Sequence, residues 1–212
     1  MKISSVAADT VIVLDFETTG LSPDQGDRAI EIGAVKLVDG QVIDTFQQLM
    51  YPGKRIDYFI ESYTGITNSM LKNARPCREV MQDFAAYIDG FNLVAHNASF
   101  DGRFLNAEFQ RIKKKQQAEF ACSMLIARRL YPDSPNHKLG TLVDYKNLPN
   151  DGVFHRALAD SQMTAHLWMA MLDDIKSNHS IETVSFNMMT TLSRTAKAAV
   201  PSFLQREASK LQ

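Results

Sequence analysis

Asp15 and Glu17 stand two apart at the end of a β-branched apolar run, Val11 to Phe16. Residues two apart in an extended strand leave the same face, so both carboxylates point one way. Side by side they repel, and removing them from water raises the cost further. A divalent cation neutralises such a pair, and hard cations such as Mg²⁺ and Mn²⁺ prefer oxygen ligands. Taken alone, the pair reads equally as a polar strand end leading into the turn Thr18-Thr19-Gly20.

Two later segments offer matching groups. Asn97 to Asp101 follows the short apolar run Phe91 to Ala95, which places Asp101 in the first turn of a helix. There an acid also favours the helix dipole, and His96-Asn97 also reads as a turn or cap. His155-Arg156-Ala157-Leu158-Ala159-Asp160 places Asp160 in the first turn of a long helix, with His155 in the loop before it. By themselves these are a helix-end acid and a surface histidine. Beside a metal held by acids, however, a histidine suits the task of taking a proton from water, because its unperturbed pKa lies near neutrality.

The elements that must position these groups follow from pattern. Val11–Phe16 reads as a buried strand, and Ala29–Val38 and Gln41–Met50 as a hairpin about the turn Asp39-Gly40. Short helical pieces around a turn are expected from Ile60 to Leu71. Pro76 opens a helix carrying Val80, Phe84 and Ile88 and stopping at Gly90. Phe91–Ala95 is a further strand, and Ser99 is the expected cap of a helix with Phe100, Phe104, Leu105 and Phe109. Helices are expected at Ser123–Leu130, Lys138–Tyr145 and Ala157–Ile175. Strands early and helices alternating with strands later predict an α/β sheet with an antiparallel hairpin, covered by helices. The body ends near Lys176 in this reading. Ser177 to Ser180 is a linker, and 181–212 a helical tail broken by Pro201.

Composition narrows the classes. With 45% hydrophobic and 22% charged residues, a core of ordinary size can form without staples. The two cysteines, Cys77 and Cys122, make neither a metal motif nor a disulfide framework, which fits a reducing cytosol. Met1 to Thr10 shows no leader pattern, and no apolar stretch is long enough to span a bilayer. The expectation is a cytoplasmic protein with no membrane partner; nothing in the pattern sets an oligomeric state. At a net charge of −1, nucleic acid cannot be held by the overall field, so any such role rests on a local site. Lys113-Lys114-Lys115 with Arg111 reads as a solvated helix end or as a phosphate-attracting patch.

Together and in this order, the three segments resemble the DnaQ-like 3′–5′ exonucleases, the DEDD branch with a histidine in its third motif. The first motif stands as Val13-Leu14-Asp15-Phe16-Glu17-Thr18-Thr19-Gly20, the second as His96-Asn97-Ala98-Ser99-Phe100-Asp101, the third as His155 to Asp160. Thr64-Gly65-Ile66-Thr67, Ala127-Arg128-Arg129-Leu130 and His137-Lys138-Leu139-Gly140 also look like family segments. The resemblance covers Thr10 to Ile175. It implies an RNase H-like fold with a mixed five-stranded sheet flanked by helices. It further implies an exonuclease domain over 1–176 and a tail of unassigned role over 177–212.

The resemblance also implies roles. Asp15, Glu17, Asp101 and Asp160 would bind two divalent ions, Mg²⁺ or Mn²⁺, and His155 would be the general base. Thr18, Leu21, His96, Asn97 and Phe100 are the candidate contacts to the terminal nucleotide. Phe100 is either a stacking platform or a core residue beside Phe104. Tyr63 stands where many relatives have a histidine. The implied substrates are the 3′ ends of single-stranded DNA or RNA. Either fits, since the distinguishing contact is to the 2′-hydroxyl. Proofreading relatives bind a DNA polymerase subunit through a C-terminal extension, so the tail is a candidate polymerase contact. It is also expected to be dispensable for turnover. A binding or tethering module with a dead site is the competing class, and the presence of all five residues speaks against it. A third reading, an RNase H-like endonuclease or integrase, is weakened by the His-x₄-Asp spacing.

Overall fold

The computed structural model describes residues 6–150, 152 and 155–210. The outermost ends of the expected domain and tail, residues 1–5 and 211–212, lie outside them. Strand β1 (Val11–Thr18) pairs antiparallel with β2 (Ala29–Val38), and β2 with β3 (Gln41–Tyr51). The β2–β3 turn falls on Asp39 and Gly40, both with positive φ, 49° and 75°. Turns of that hand match the twist of the strands they join. Helices α1 (Tyr58–Thr64) and α2 (Asn68–Lys72) follow, divided at Gly65, whose φ of 71° ends α1. Next come the two-residue β4 (Arg75–Pro76) and α3 (Cys77–Tyr87).

The second half alternates. It runs β5 (Leu93–Ala95), α4 (Ala98–Arg111), β6 (Phe120–Cys122), α5 (Ser123–Leu130), α6 (Leu139–Tyr145) and α7 (Ala157–His179). Strands β5 and β6 run parallel to β1, so the sheet is mixed, in the order β4-β3-β2-β1-β5-β6. The five strands implied by the resemblance are its body. The short β4, paired only at Met50 and Tyr51, adds a sixth at the edge.

Alternation along β1 assigns its two faces. Val11 and Val13 enter a core beneath α7, which also holds Val35 and Leu37 of β2. Ile12, Leu14 and Phe16 enter the core on the other face, with Phe84 of α3 and Phe104 of α4. A small third cluster, Ile30 with Ile56, Ile66 and Leu71, seats the α1–α2 unit against β2. The Asn68 side chain locks that unit by bonding both the N–H and the C=O of Ile56. No described helix is long and apolar enough to cross a membrane.

Three local expectations are corrected. Asn97 rather than Ser99 precedes α4, in the left-handed region at φ 69°, a conformation that asparagine tolerates better than most residues. The 176/177 boundary falls inside α7, which runs on to His179 before Ser180 ends it at φ 54°. Pro201 does not break a helix. It lies in the first turn of α9 (Val200–Ser209), where its missing N–H costs nothing.

The tail is built into the body. Ile181 and Val184 of the connecting segment, Phe186, Met188, Met189 and Leu192 of α8 (Phe186–Arg194), and Phe203 and Leu204 of α9 are buried in the same core as Trp168 of α7. The N-terminal segment joins in, as Ala7 bridges Ser185 and Ala8 C=O accepts from Trp168 Nε1 at 2.7 Å. Each such side chain is worth about 1.5–3 kcal/mol of burial, against a net domain stability of about 5–15 kcal/mol. A chain ended at Ser180 is therefore expected to lose its cooperative thermal transition by circular dichroism, which reverses the expectation of a dispensable tail. A truncated chain melting at the full-length temperature would contradict this.

Candidate active site

The site forms where β1 outruns its parallel neighbour. The last β1–β5 pair is Val13 with Val94, whereas β1 continues to Thr18 along β2. Asp15 and Glu17 continue the Val11–Val13 face and so point toward α7. On the other side the chain leaves β5, turns at Asn97 and enters α4. This delivers Asp101, whose Oδ1 accepts the Phe16 N–H at 3.1 Å. Asp101 thus arrives from the opposite layer and replaces a strand partner that β5 is too short to supply.

Asp160 arrives because α7 can lie directly on β2. Gly33 pairs with Asp15 across the ladder, and a Cβ there would overlap the backbone of Ala157 and Leu158. Ser161 Oγ donates to the Gly33 carbonyl at 2.9 Å. Two residues back along β2, fully buried Glu31 accepts Arg156 Nε at 3.1 Å and Nη2 at 2.8 Å, and also the Ala157 N–H. Bidentate guanidinium–carboxylate pairs fix geometry as well as charge. The chain just before Arg156 is held in turn, since the His155 N–H donates to Asp160 Oδ2 at 3.0 Å.

Asp15, Glu17 and Asp160 each offer a ligand atom within 4.8 Å of the others, the one such cluster of potential metal ligands among the described residues. At that separation each charged pair costs about 3 kcal/mol at an effective dielectric of about 20. Three such pairs would cancel most of a domain's net stability of about 5–15 kcal/mol, so protons or cations must intervene. The acids respond accordingly. Asp15 is held well above its usual pKa, first by desolvation and then by Asp101, Glu17, Asp160 and Glu31. Desolvation, then Asp160 and Glu31, raise Glu17 from 4.5 to about 8. Desolvation also takes Asp101 to about 7 and Asp160 to about 6. An all-oxygen donor set with surplus negative charge fits a hard divalent cation.

Asp15, Glu17 and Asp160 line a cleft of about 370 Å³, and Asp101 lies buried behind them rather than on its wall. Thr18, Leu21, Asn97, Phe100 and His155 border the cleft. Phe100 lines the cleft, with its ring centroid 5.0 Å from that of Phe104. His96 is the exception. It does not line the cleft, and its ring nitrogens lie 2.9 Å from Ser123 Oγ and 2.9 Å from the His137 carbonyl. Burial lowers its pKa to about 4, so it ties β5 to the α5 and α6 segments as a neutral ring. Sequence reasoning missed Phe59 and Tyr63 of α1, which also line the cleft. The Tyr63 ring packs against His155 with centroids 4.1 Å apart. The spacing of the two aromatics, four apart on a short helix, was the available signal.

A family model described as an exonuclease of the RNase T type matches residues 12–168. The chain belongs to the DnaQ-like 3′–5′ exonuclease family. This exonuclease is 38% identical over 180 residues to the PolC-type DNA polymerase III of Thermotoga petrophila, and 38% over 168 residues to that of Bacillus subtilis. Those matches take in 82% and 78% of the chain but only 12% of each polymerase. Among solved structures it is similar to exonuclease X in complex with 5′ overhanging duplex DNA, with a TM-score of 0.69 and 27% identity over 86% of this chain and 99% of that one. The nuclease domain of the DEDDh member 3′hExo, bound to rAMP, shares the fold at a TM-score of 0.67 and 23% identity over 82% of this chain and 95% of that one. The RNase H-like architecture and the nuclease class follow from this kinship.

Two tests address the site's construction. Gly33→Ala must displace the start of α7, so it is expected to lower nuclease turnover at least tenfold while the chain still melts cooperatively; unchanged turnover would contradict the packing argument. The second concerns pH. Because Glu17, Asp101 and Asp160 are all raised, the folded state binds more protons than the unfolded state between about pH 4 and 8. Stability in EDTA is therefore expected to fall as pH rises through that window. Mg²⁺ should raise the melting temperature more at pH 8 than at pH 5, and Asp15→Asn should flatten the EDTA profile. A metal-free melting temperature that climbs from pH 5 to 8 would be the contrary result.

Proposed function

We propose that this chain is a metal-dependent exonuclease that removes nucleotides from the 3′ end of DNA, single-stranded or frayed, as nucleoside 5′-monophosphates. The observation that carries this reading is the convergence of Asp15, Glu17 and Asp160 at the end of β1, with Asp101 and His155 beside them. Asp15, Glu17, Asp101 and Asp160 would hold two divalent ions, Mg²⁺ or Mn²⁺. When bound, such ions supply an activated water and charge stabilisation at the phosphate and the leaving oxygen. His155 takes the proton from the attacking water, with its loop anchored behind by Arg156–Glu31 and its ring packed in front by Tyr63. Leu21 and Phe100 flank the terminal nucleotide from the cleft walls, and Thr18 and Asn97 supply polar contacts.

DNA is favoured over RNA by the polymerase III relatives and by the exonuclease X likeness. A proofreading or repair role in the cytoplasm follows the same relatives. Because this chain spans about 12% of their length, its place beside a polymerase belongs to the proposal. The tail's apolar side is spent on the core, so a polymerase contact through it is left its exposed face.

The test uses 5′-labelled single-stranded DNA and the same sequence as RNA, with Mg²⁺ or Mn²⁺ against EDTA. A metal-dependent ladder of shortening products, faster on DNA and absent in Asp15→Ala, is expected. His155→Ala should slow it by about 10²–10⁴-fold, the usual worth of general-base catalysis. Folded protein that binds both strands yet cleaves neither would leave a tethering module.

A further inference from the structure

Helix α1 lines the catalytic cleft and carries three exposed aromatic side chains. Tyr58 is 80% exposed, Phe59 69% and Tyr63 52%. The Phe59 and Tyr63 rings stack at 5.9 Å and 11°. Single exposed apolar residues need no explanation, but three exposed aromatics on a seven-residue helix do. Phe59 and Tyr63 line the cleft, whereas Tyr58 lies outside it.

A hollow of about 470 Å³ is lined by the end of β3, the segment leading into α1, and α2, including Tyr51, Lys54, Arg55 and Lys72. Lys54 Nζ bonds the Gly26 carbonyl at 3.0 Å and sits 3.7 Å from Asp27. Among the described residues, Arg55 and Lys72 form no ion pair. Of the acids nearest these aromatics, Asp57 caps α1 through the Ile60 N–H and Glu61 accepts from Asn68. The chain as a whole carries a net charge of −1 and its cleft is acidic, so a polyanion must find its cations beside the cleft. The Lys113–Lys115 run cannot serve, because it follows the far end of α4, about 20 Å along the helix from Asp101's turn.

We propose that the α1 aromatics and the Lys54–Arg55–Lys72 hollow form a second subsite, which holds the same nucleic-acid strand immediately 5′ of the nucleotide being removed. Base faces rest on Tyr58 and Phe59, and the strand's phosphates pass into the basic hollow. Aromatic stacking with backbone neutralisation binds a single strand without sequence preference, as a trimming enzyme requires. The subsite rests on the exonuclease reading, and one experiment separates the two.

Full-length chain is assayed on the p-nitrophenyl ester of thymidine 5′-monophosphate, which spans only the terminal position, and on 5′-labelled oligothymidylate about 20 nucleotides long. The variants are Tyr58→Ala and the double change Arg55→Gln with Lys72→Gln. Ester turnover is expected to stay at the wild-type level in both, which also shows that they fold. KM for the long strand should rise roughly tenfold in each, with kcat kept. In the double variant the slope of log affinity against log salt should fall by about 1.4, at about 0.7 per phosphate contact on a single strand. Long-strand KM and salt slope equal to wild type, with the ester still hydrolysed, would overturn the subsite alone and leave the aromatic surface to a protein partner. Wild-type chain inert toward both substrates would instead sink the exonuclease reading.

Discussion

Carboxylates crowded at the end of β1 set the terms for the rest of the molecule. Asp15, Glu17 and Asp160 lie close enough that full ionisation without a counter-charge would cancel most of a domain's net stability. Protons relieve the repulsion at low pH, and divalent cations would relieve it near neutrality. A cluster that is unfavourable when empty is thereby a cluster with affinity, because the energy stored in repulsion is released on binding. The chemistry and the instability have one origin.

Holding repelling groups together requires rigid support from elements that would otherwise drift apart. Gly33 removes the side chain that would keep α7 off the sheet, and Ser161 bonds the carbonyl so exposed. Glu31 stands directly across from Glu17 and would add to the repulsion, but Arg156 neutralises it and fixes the His155 loop by the same contact. Asp101 is held by the Phe16 N–H, which β5 leaves without a strand partner. The tail makes α7 firm from behind by sharing its core with Trp168. Packing far from the cleft is therefore part of what positions Asp160.

Much of this was legible in the residue pattern. The apolar run Val11–Phe16 marked a strand, on which residues two apart such as Asp15 and Glu17 share a face, and the Ala29–Val38 strand and Ser123–Leu130 helix appear with the expected bounds. These segments are governed by local periodicity and turn chemistry. What escaped depends on contacts distant in sequence. His96 was a candidate nucleotide contact, yet Ser123 and His137 claim its ring from other segments. Tyr63 reaches His155 only because α1 folds over the sheet on the Ile30–Ile56–Ile66–Leu71 cluster. The tail looked detachable because Ser177 to Ser180 is polar, but a polar stretch is also what an exposed last turn of a long helix requires.

The central claim is that cations take the place of protons in this cluster, and calorimetry tests it most directly. Mn²⁺ would be titrated into metal-free protein at pH 7 in buffers of differing ionisation enthalpy, with the proton count taken from the difference. The account predicts two ions bound with net proton release, since Glu17 and Asp101 remain partly protonated at that pH, and less release at pH 9. Binding with no proton release at pH 7, or no binding at all, would contradict it.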